Sequence, residues 1–171
     1  QYTTEIDNTQ RPATVRIVDF LSCAILYYAA KCAILILYDL KKEVIAYLEQ
    51  HAIAYEDLGC DGSRVDYPDI AKAVCTAVVA NQDAKGILIC GTGIGMSIAA
   101  NKIKGIRAAL CADHFSTKYT RLHNDANVMC MGARTLGSGL ALELVETFLN
   151  TPFEGGRHVV RVNKIQQLEQ D

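Results

Sequence analysis

The chain contains no tryptophan, and its tyrosines and phenylalanines make up only 7% of the residues. So few flat side chains leave no stacking platform for nucleic-acid bases. An excess of basic charge is missing as well: 17 Lys and Arg stand against 19 Asp and Glu, a formal net charge of −2. General binding to a phosphate backbone is excluded on that ground, and no nucleic-acid partner is expected. Proline occurs three times in 171 residues, and there is neither an internal repeat nor a low-complexity linker. That length fits one domain with a sizeable core. Seven cysteines are present without a single C-x-x-C pair, which excludes the common zinc and thioredoxin-like layouts. Their odd number and their placement in apolar segments (Cys23, Cys32, Cys75, Cys90, Cys111, Cys130) fit reduced, buried thiols in a cytoplasmic protein. Cys60, near a Gly-rich turn, is the least buried-looking of the set.

Residues 1–13 are polar and without periodicity, which predicts a loose arm. Phe20 to Tyr38 is almost continuously apolar, interrupted only by Ser22 and Lys31. That is about the length of a membrane span, but a central lysine would cost about 2.5–3.5 kcal/mol there. Phe20–Ala30, preceded by Arg11 and Arg16, also has the form of a signal-peptide apolar region. The pattern downstream favours a helix followed by a buried strand at Cys32–Leu37, with no membrane partner.

From there apolar runs alternate with amphipathic stretches. Strands are predicted at Ala52–Leu58, Gly86–Ile89, Ile106–Cys111 and Asn127–Met131. Helices are predicted at Leu40–Gln50, from Tyr67-Pro68-Asp69 to about Asn81, from the glycine loop to Lys102, and at Phe115–Asn124, Leu136–Leu149 and Gly156–Gln170. Such alternation is the mark of a parallel sheet covered on both faces, whose ligands bind beyond the carboxyl ends of the strands.

Three clusters carry chemistry. The first is Cys90-Gly91-Thr92-Gly93-Ile94-Gly95-Met96, directly after the apolar run Gly86–Ile89. It lacks the Walker pattern and fits the dinucleotide fingerprint only if residues are forced. Bare backbone N–H groups in such a loop suit a small oxyanion. The loop also fits a tight strand-to-helix turn without a ligand. Thiols at helix N-termini ionise more readily than free ones, so Cys90 suits a base or nucleophile, whereas a lone cysteine after an apolar strand is most often a small buried hydrophobe. Thr92 adds a hydroxyl to the same loop. The second cluster, Arg121-Leu122-His123-Asn124-Asp125-Ala126-Asn127, fits capping and turn chemistry, or a general acid and base at His123. In the third, Arg157 and Arg161 share a helix face and suit either a phosphate or plain solvation, and Arg134 offers another positive group.

Taken in order, Asp66-Tyr67-Pro68, Cys90–Lys102, Gly105-Ile106-Arg107-Ala108, His123–Asn127 and Gly156-Arg157-His158 resemble the type B ribose-5-phosphate isomerases, within the wider group that includes the galactose-6-phosphate isomerase subunits. The resemblance covers roughly residues 39–169. It implies an α/β fold, a Rossmann-like three-layer α/β/α sandwich with a mainly parallel sheet. It also implies interconversion of D-ribose 5-phosphate and D-ribulose 5-phosphate through a cis-enediolate, without metal or cofactor. Cys90 would move the proton between C2 and C1; a glutamate used by another branch is replaced here by Met96. Thr92 would assist at the sugar oxygens, and amides from Gly91, Gly93, Ile94 and Gly95 would hold the enediolate. His123, with Asn124, would come from a partner subunit to open the furanose ring. Arg134, Arg157 and Arg161 would bind phosphate. A homodimer or tetramer with shared sites is implied.

One departure stands out. The family's first strand ends in Asp-His, the aspartate serving the sugar ring and the histidine the phosphate. Cys32–Tyr38, read as that strand, contains neither. Residues 1–31 have no counterpart and read as an atypical extension ahead of an isomerase domain at 32–171. Two alternatives follow: a catalytically impaired sugar-phosphate-binding or structural subunit, or an isomerase of six-carbon sugar phosphates.

Overall fold

The computed structural model describes residues 15–19, 30–59, 65–81 and 83–170, with side chains from Asp39 onward. In chain order the elements are β1 (Val15–Asp19), α1 (Ala30–Gln50), β2 (Tyr55–Asp57), α2 (Tyr67–Ala80), β3 (Lys85–Cys90), α3 (Ile94–Ala100), β4 (Ala108–Leu110), α4 (His114–Asn124), β5 (Val128–Gly132), α5 (Ser138–Asn150) and α6 (Arg157–Gln167).

The five strands form one parallel sheet in the order β2-β1-β3-β5-β4. The side chains of β3 and β5 alternate between two cores, as the two-residue period of a strand requires. Ile87, Ile89, Met129 and Met131 face the layer of α1 and α5, where Leu40, Val44, Leu144 and Phe148 are buried. Leu88, Val128 and Cys130 face α2 and α3, against Val74, Cys75, Met96 and Ala100. A strand buried on both faces reads as a continuous apolar run, and Gly86–Ile89 is one. The result is the expected three-layer α/β/α sandwich. α4 packs beside α5, and α6 lies against α4.

The first strand differs from expectation. Cys32–Leu37 is not a strand but part of α1, a single helix of 21 residues. A short apolar run has no distinguishing period, so what adjoins it decides its form. Here the adjoining Leu40, Val44 and Leu48 repeat every four residues and are buried, which sustains a helix. The strand is supplied by Val15–Asp19, rich in β-branched residues, which pairs with both β2 and β3. The sheet therefore draws on the segment before residue 32. The helix expected immediately before Cys32 falls almost wholly outside the described residues. Among those described, no helix is long and apolar enough to cross a membrane.

Strand order reverses between β1 and β3, because the chain first moves outward to β2 and then returns across the sheet. In open α/β sheets a crevice forms at that place, at the carboxyl ends of the strands. Cys90 ends β3 there, in register with Gly132 of β5.

Candidate active site

The loop after β3 is shaped by close approach. Gly93 takes φ 79°, the left-handed region, and a Cβ there would lie 2.5 Å from Leu110 Cδ1 and 2.9 Å from the Met131 carbonyl carbon. A Cβ on Gly132 would lie 2.6 Å from the Thr92 carbonyl carbon and 2.5 Å from Thr135 Oγ1. Glycine at both positions lets the loop lie directly on the end of β5. Backbone bonds then lock it: Ala133 N–H donates to Cys90 O (2.8 Å) and Arg134 N–H to Gly91 O (3.0 Å).

Within this frame Cys90 is half-buried, and the Gly93 N–H donates to its sulfur at 3.1 Å. Burial pushes the other described thiols up, Cys75 to about 12, Cys111 to about 11 and Cys130 well above its ordinary value. Of the four cysteines whose side chains are described, Cys90 alone is not fully buried. Thr92 is exposed, its Oγ1 accepting from the Ile94 N–H at 3.4 Å. Gly95 opens α3 against Tyr67, whose ring would sit 3.1 Å from a Cβ at that position. The Arg134 side chain runs over Gly91, 3.6–3.8 Å from where a Cβ would stand. Cys90, Thr92, Gly91, Gly93, Ile94, Gly95 and Arg134 thus form one group at the carboxyl ends of the strands.

The remaining residues form a second group elsewhere. His123 and Asn124 end α4, just before β5 begins, so they lie at the amino ends of the strands. Asp125 caps α4 with φ 46° and pairs with both Arg107 and Arg121, each at 2.9 Å, which pins this turn. The His123 ring stacks on His158, with centroids 4.0 Å apart and planes 7° from parallel. Arg157 and Arg161 are exposed on the same helix as His158, and Arg157 Nε lies 3.4 Å from His158 Nε2. Burial, then the neighbouring His123 and Arg157, hold the His158 imidazole below its ordinary pKa, so it favours the neutral form.

His123, Glu154 and His158 bring three ligand atoms within 4.8 Å of one another. Parallel imidazoles hold their lone pairs in parallel planes that do not meet, whereas zinc needs them to converge at about 2.0–2.1 Å. Arg157 adds positive charge beside them. The trio suits the handling of protons better than that of a cation.

Sequence reading missed one strand-end residue. β1 ends in Asp19, paired in register with Ile89 and so one position short of Cys90. An acid therefore does stand at the end of the first strand, followed by Phe20 rather than histidine. The run Val15–Val18, β-branched at three of its four positions and leading into an acid, was the available signal.

Comparison with known proteins shows the family. The model of the ribose/galactose isomerase family matches residues 36–165. Ribose-5-phosphate isomerase B of Escherichia coli is 46% identical over 132 residues, which is 77% of this chain and 89% of that protein. A D-erythrulose-4-phosphate isomerase of Pectobacterium atrosepticum is 42% identical over 133 residues, covering 77% and 88%. Among solved structures, ribose-5-phosphate isomerase B of Mycoplasma genitalium with bound ribulose 5-phosphate superposes with a TM-score of 0.80 at 34% identity, covering 92% of this chain and 97% of that one. The strand-end thiol, its glycine loop and these relatives together make the chain a member of the ribose/galactose isomerase family, a sugar-phosphate isomerase.

Proposed function

We propose that the protein interconverts D-ribose 5-phosphate and D-ribulose 5-phosphate, with Cys90 as the base. The observation that carries this reading is the Gly93 N–H directed at the half-buried Cys90 sulfur, at the mouth of the glycine loop. Cys90 takes the proton from C2 of the open-chain aldose and returns it to C1, while amides from Gly91 to Gly95 hold the oxygen charge of the cis-enediolate. Thr92 relays protons between the sugar oxygens. Asp19 stands at the neighbouring strand end, one register position from Cys90.

His123, Asn124, Arg157 and Arg161 act on the same sugar from a second copy of the chain. This reading is supported by the two groups standing at opposite ends of one sheet, a separation that one subunit cannot close. Exposed Ile94 (52%) and Ile98 (59%), on the helix that follows the glycine loop, offer apolar surface for such a partner. His123 opens the furanose, and the arginines, with Arg134, bind the phosphate. The reaction needs neither a metal nor a redox cofactor, and a cytoplasmic setting suits its free thiols.

The test is an isomerase assay on D-ribose 5-phosphate beside four- and six-carbon aldose phosphates, with Cys90→Ala as control. The pentose phosphate is expected to have the highest kcat/KM, and the variant is expected to be folded and inactive. Turnover by Cys90→Ala would remove Cys90 from the mechanism. A preference for another sugar would move the substrate and leave the base in place.

A further inference from the structure

His123 is held by neighbours far from it in sequence. Tyr119, one helical turn earlier, meets its ring edge-on, with centroids 4.8 Å apart and planes at 65°. His158 of α6 lies flat against it. Glu154, in the loop between α5 and α6, brings Oε2 to 3.4 Å from His123 Nε2 and 3.8 Å from His158 Nε2. The loop is fixed where it carries this carboxylate, because the Glu154 N–H donates to Leu122 O at 3.0 Å, on the last turn of α4. Gly155 and Gly156 then take φ of 71° and 55° and turn the chain into α6.

The charges around His123 come from three elements. α4 contributes Tyr119, the loop contributes the Glu154 carboxylate, and α6 contributes His158 with Arg157 and Arg161 beyond it. His158 is buried, 6% exposed, and the arginines make a second positive charge on it unfavourable. With His158 neutral, Glu154 is the carboxylate available to an imidazolium at His123. Its approach to Nε2 selects the tautomer with the proton on that nitrogen. Nδ1 has no hydrogen-bond partner among the described residues and is left for a ligand.

We propose that Glu154 and His158 are positioning residues for ring opening: the carboxylate fixes the Nε2–H tautomer of His123, and the stacked ring fixes its plane, so that Nδ1 handles the proton. Nδ1 takes the proton of the C1 hydroxyl as that oxygen forms the aldehyde carbonyl. The C1–O4 bond breaks with its electron pair going to O4, and the imidazolium delivers the same proton to O4. His123 returns to neutral, and Glu154 stabilises the cation between the two transfers. The proposal rests on the reading that His123 opens the furanose.

The experiment compares full-length wild type, Glu154→Gln, His158→Phe, His158→Ala and His123→Ala on two substrates. D-ribose 5-phosphate must be opened. D-ribulose 5-phosphate cannot form a furanose, because its O5 is esterified, so its initial consumption bypasses the step. Glu154→Gln is expected to lower kcat on the aldose roughly tenfold, because the tautomer and the transient imidazolium lose the carboxylate at Nε2. Ketose consumption is expected to stay within about twofold of wild type. His158→Phe, which keeps a ring for stacking, is expected to retain more aldose activity than His158→Ala. Wild-type aldose turnover by Glu154→Gln, with His123→Ala impaired on the aldose, would overturn this proposal and leave the ring-opening reading intact. Equal losses on both substrates would also overturn it, since Glu154 would then serve the fold. Full aldose turnover by His123→Ala would overturn the ring-opening reading itself.

Discussion

Cys90 and His123 lie at opposite ends of the same sheet. Cys90 closes the carboxyl end of β3, whereas His123 sits on the last turn of α4, just ahead of the strand whose Val128 pairs with Gly86. Gly86 to Cys90 spans about 13 Å of strand, and no rotamer change bridges it. If both residues serve one substrate, they come from two copies. Cys90→Ala and His123→Ala, each inactive on D-ribose 5-phosphate alone, are expected to complement one another when unfolded together and refolded. Random pairing of equal amounts gives heterodimers half the time, each with one intact site, so about a quarter of wild-type activity returns. No recovery, with mixed oligomers demonstrated by mass, would put the two residues in separate functions.

The thiols separate by environment. Iodoacetamide at pH 8 is expected to modify Cys90 in the folded protein and to spare Cys75, Cys111 and Cys130, whose burial holds their ionisation far above that pH. Peptide mass mapping checks this. D-ribose 5-phosphate in excess is expected to slow the labelling of Cys90, as a ligand seated over the sulfur must.

Gly93→Ala tests the packing of the loop. A methyl group there would have to adopt φ 79° and overlap Leu110 and the β5 backbone. The expected cost is more than about 1 kcal/mol of stability, read by denaturant unfolding, together with loss of turnover. Gly137→Ala, where nothing lies within 4 Å of the added atom, is the control and is expected to leave both near wild type.

Phe148→Ala separates the core from the site. Phe148, on the buried face of α5, is fully enclosed and lies under the Arg121 guanidinium, 5.6 Å from the ring centre. Its removal is expected to cost about 3–5 kcal/mol in chemical denaturation. Cys90, fixed by β3 and β5, is expected to keep its reactivity in whatever fraction remains folded.

Asp113 gives α4 a dependence on acid. Its carboxylate accepts the Ser116 N–H at 2.7 Å, and those hydrogen bonds hold it below the ordinary carboxylate range. A depressed native pKa contributes stability that is complete above the unfolded value of about 3.9 and is lost as pH falls through the native one. Asp113→Asn keeps a capping side chain without the titration. Its stability is expected to fall less steeply than that of wild type below about pH 4, as thermal melts across pH would record.

Much of this architecture was legible along the chain. Gly86–Ile89 bounded by glycines, Pro68 in the first turn of α2, and the four-residue repeat of Leu40, Val44 and Leu48 each carry their structure locally. The first strand did not. Cys32–Leu37 is apolar enough for either state, and only its continuity with the amphipathic half of α1 makes it helical. Glu154 was invisible for another reason: it stands 31 residues beyond His123, and nothing local links them.

Chemistry that depends on neighbours in sequence was therefore fixed by sequence: a thiol followed by alternating glycines, a hydroxyl two residues on, and arginines one helical turn apart. What depends on long-range pairing waited for the tertiary structure. Parallel strands pair through connections many residues long, so only the folded sheet brings Asp19 beside Ile89. Only that sheet separates Cys90 from His123, and only the packing of α6 on α4 lays His158 against His123. Local propensity acts through bonds a few residues apart, whereas these contacts come from burying faces that the chain supplies from distant segments.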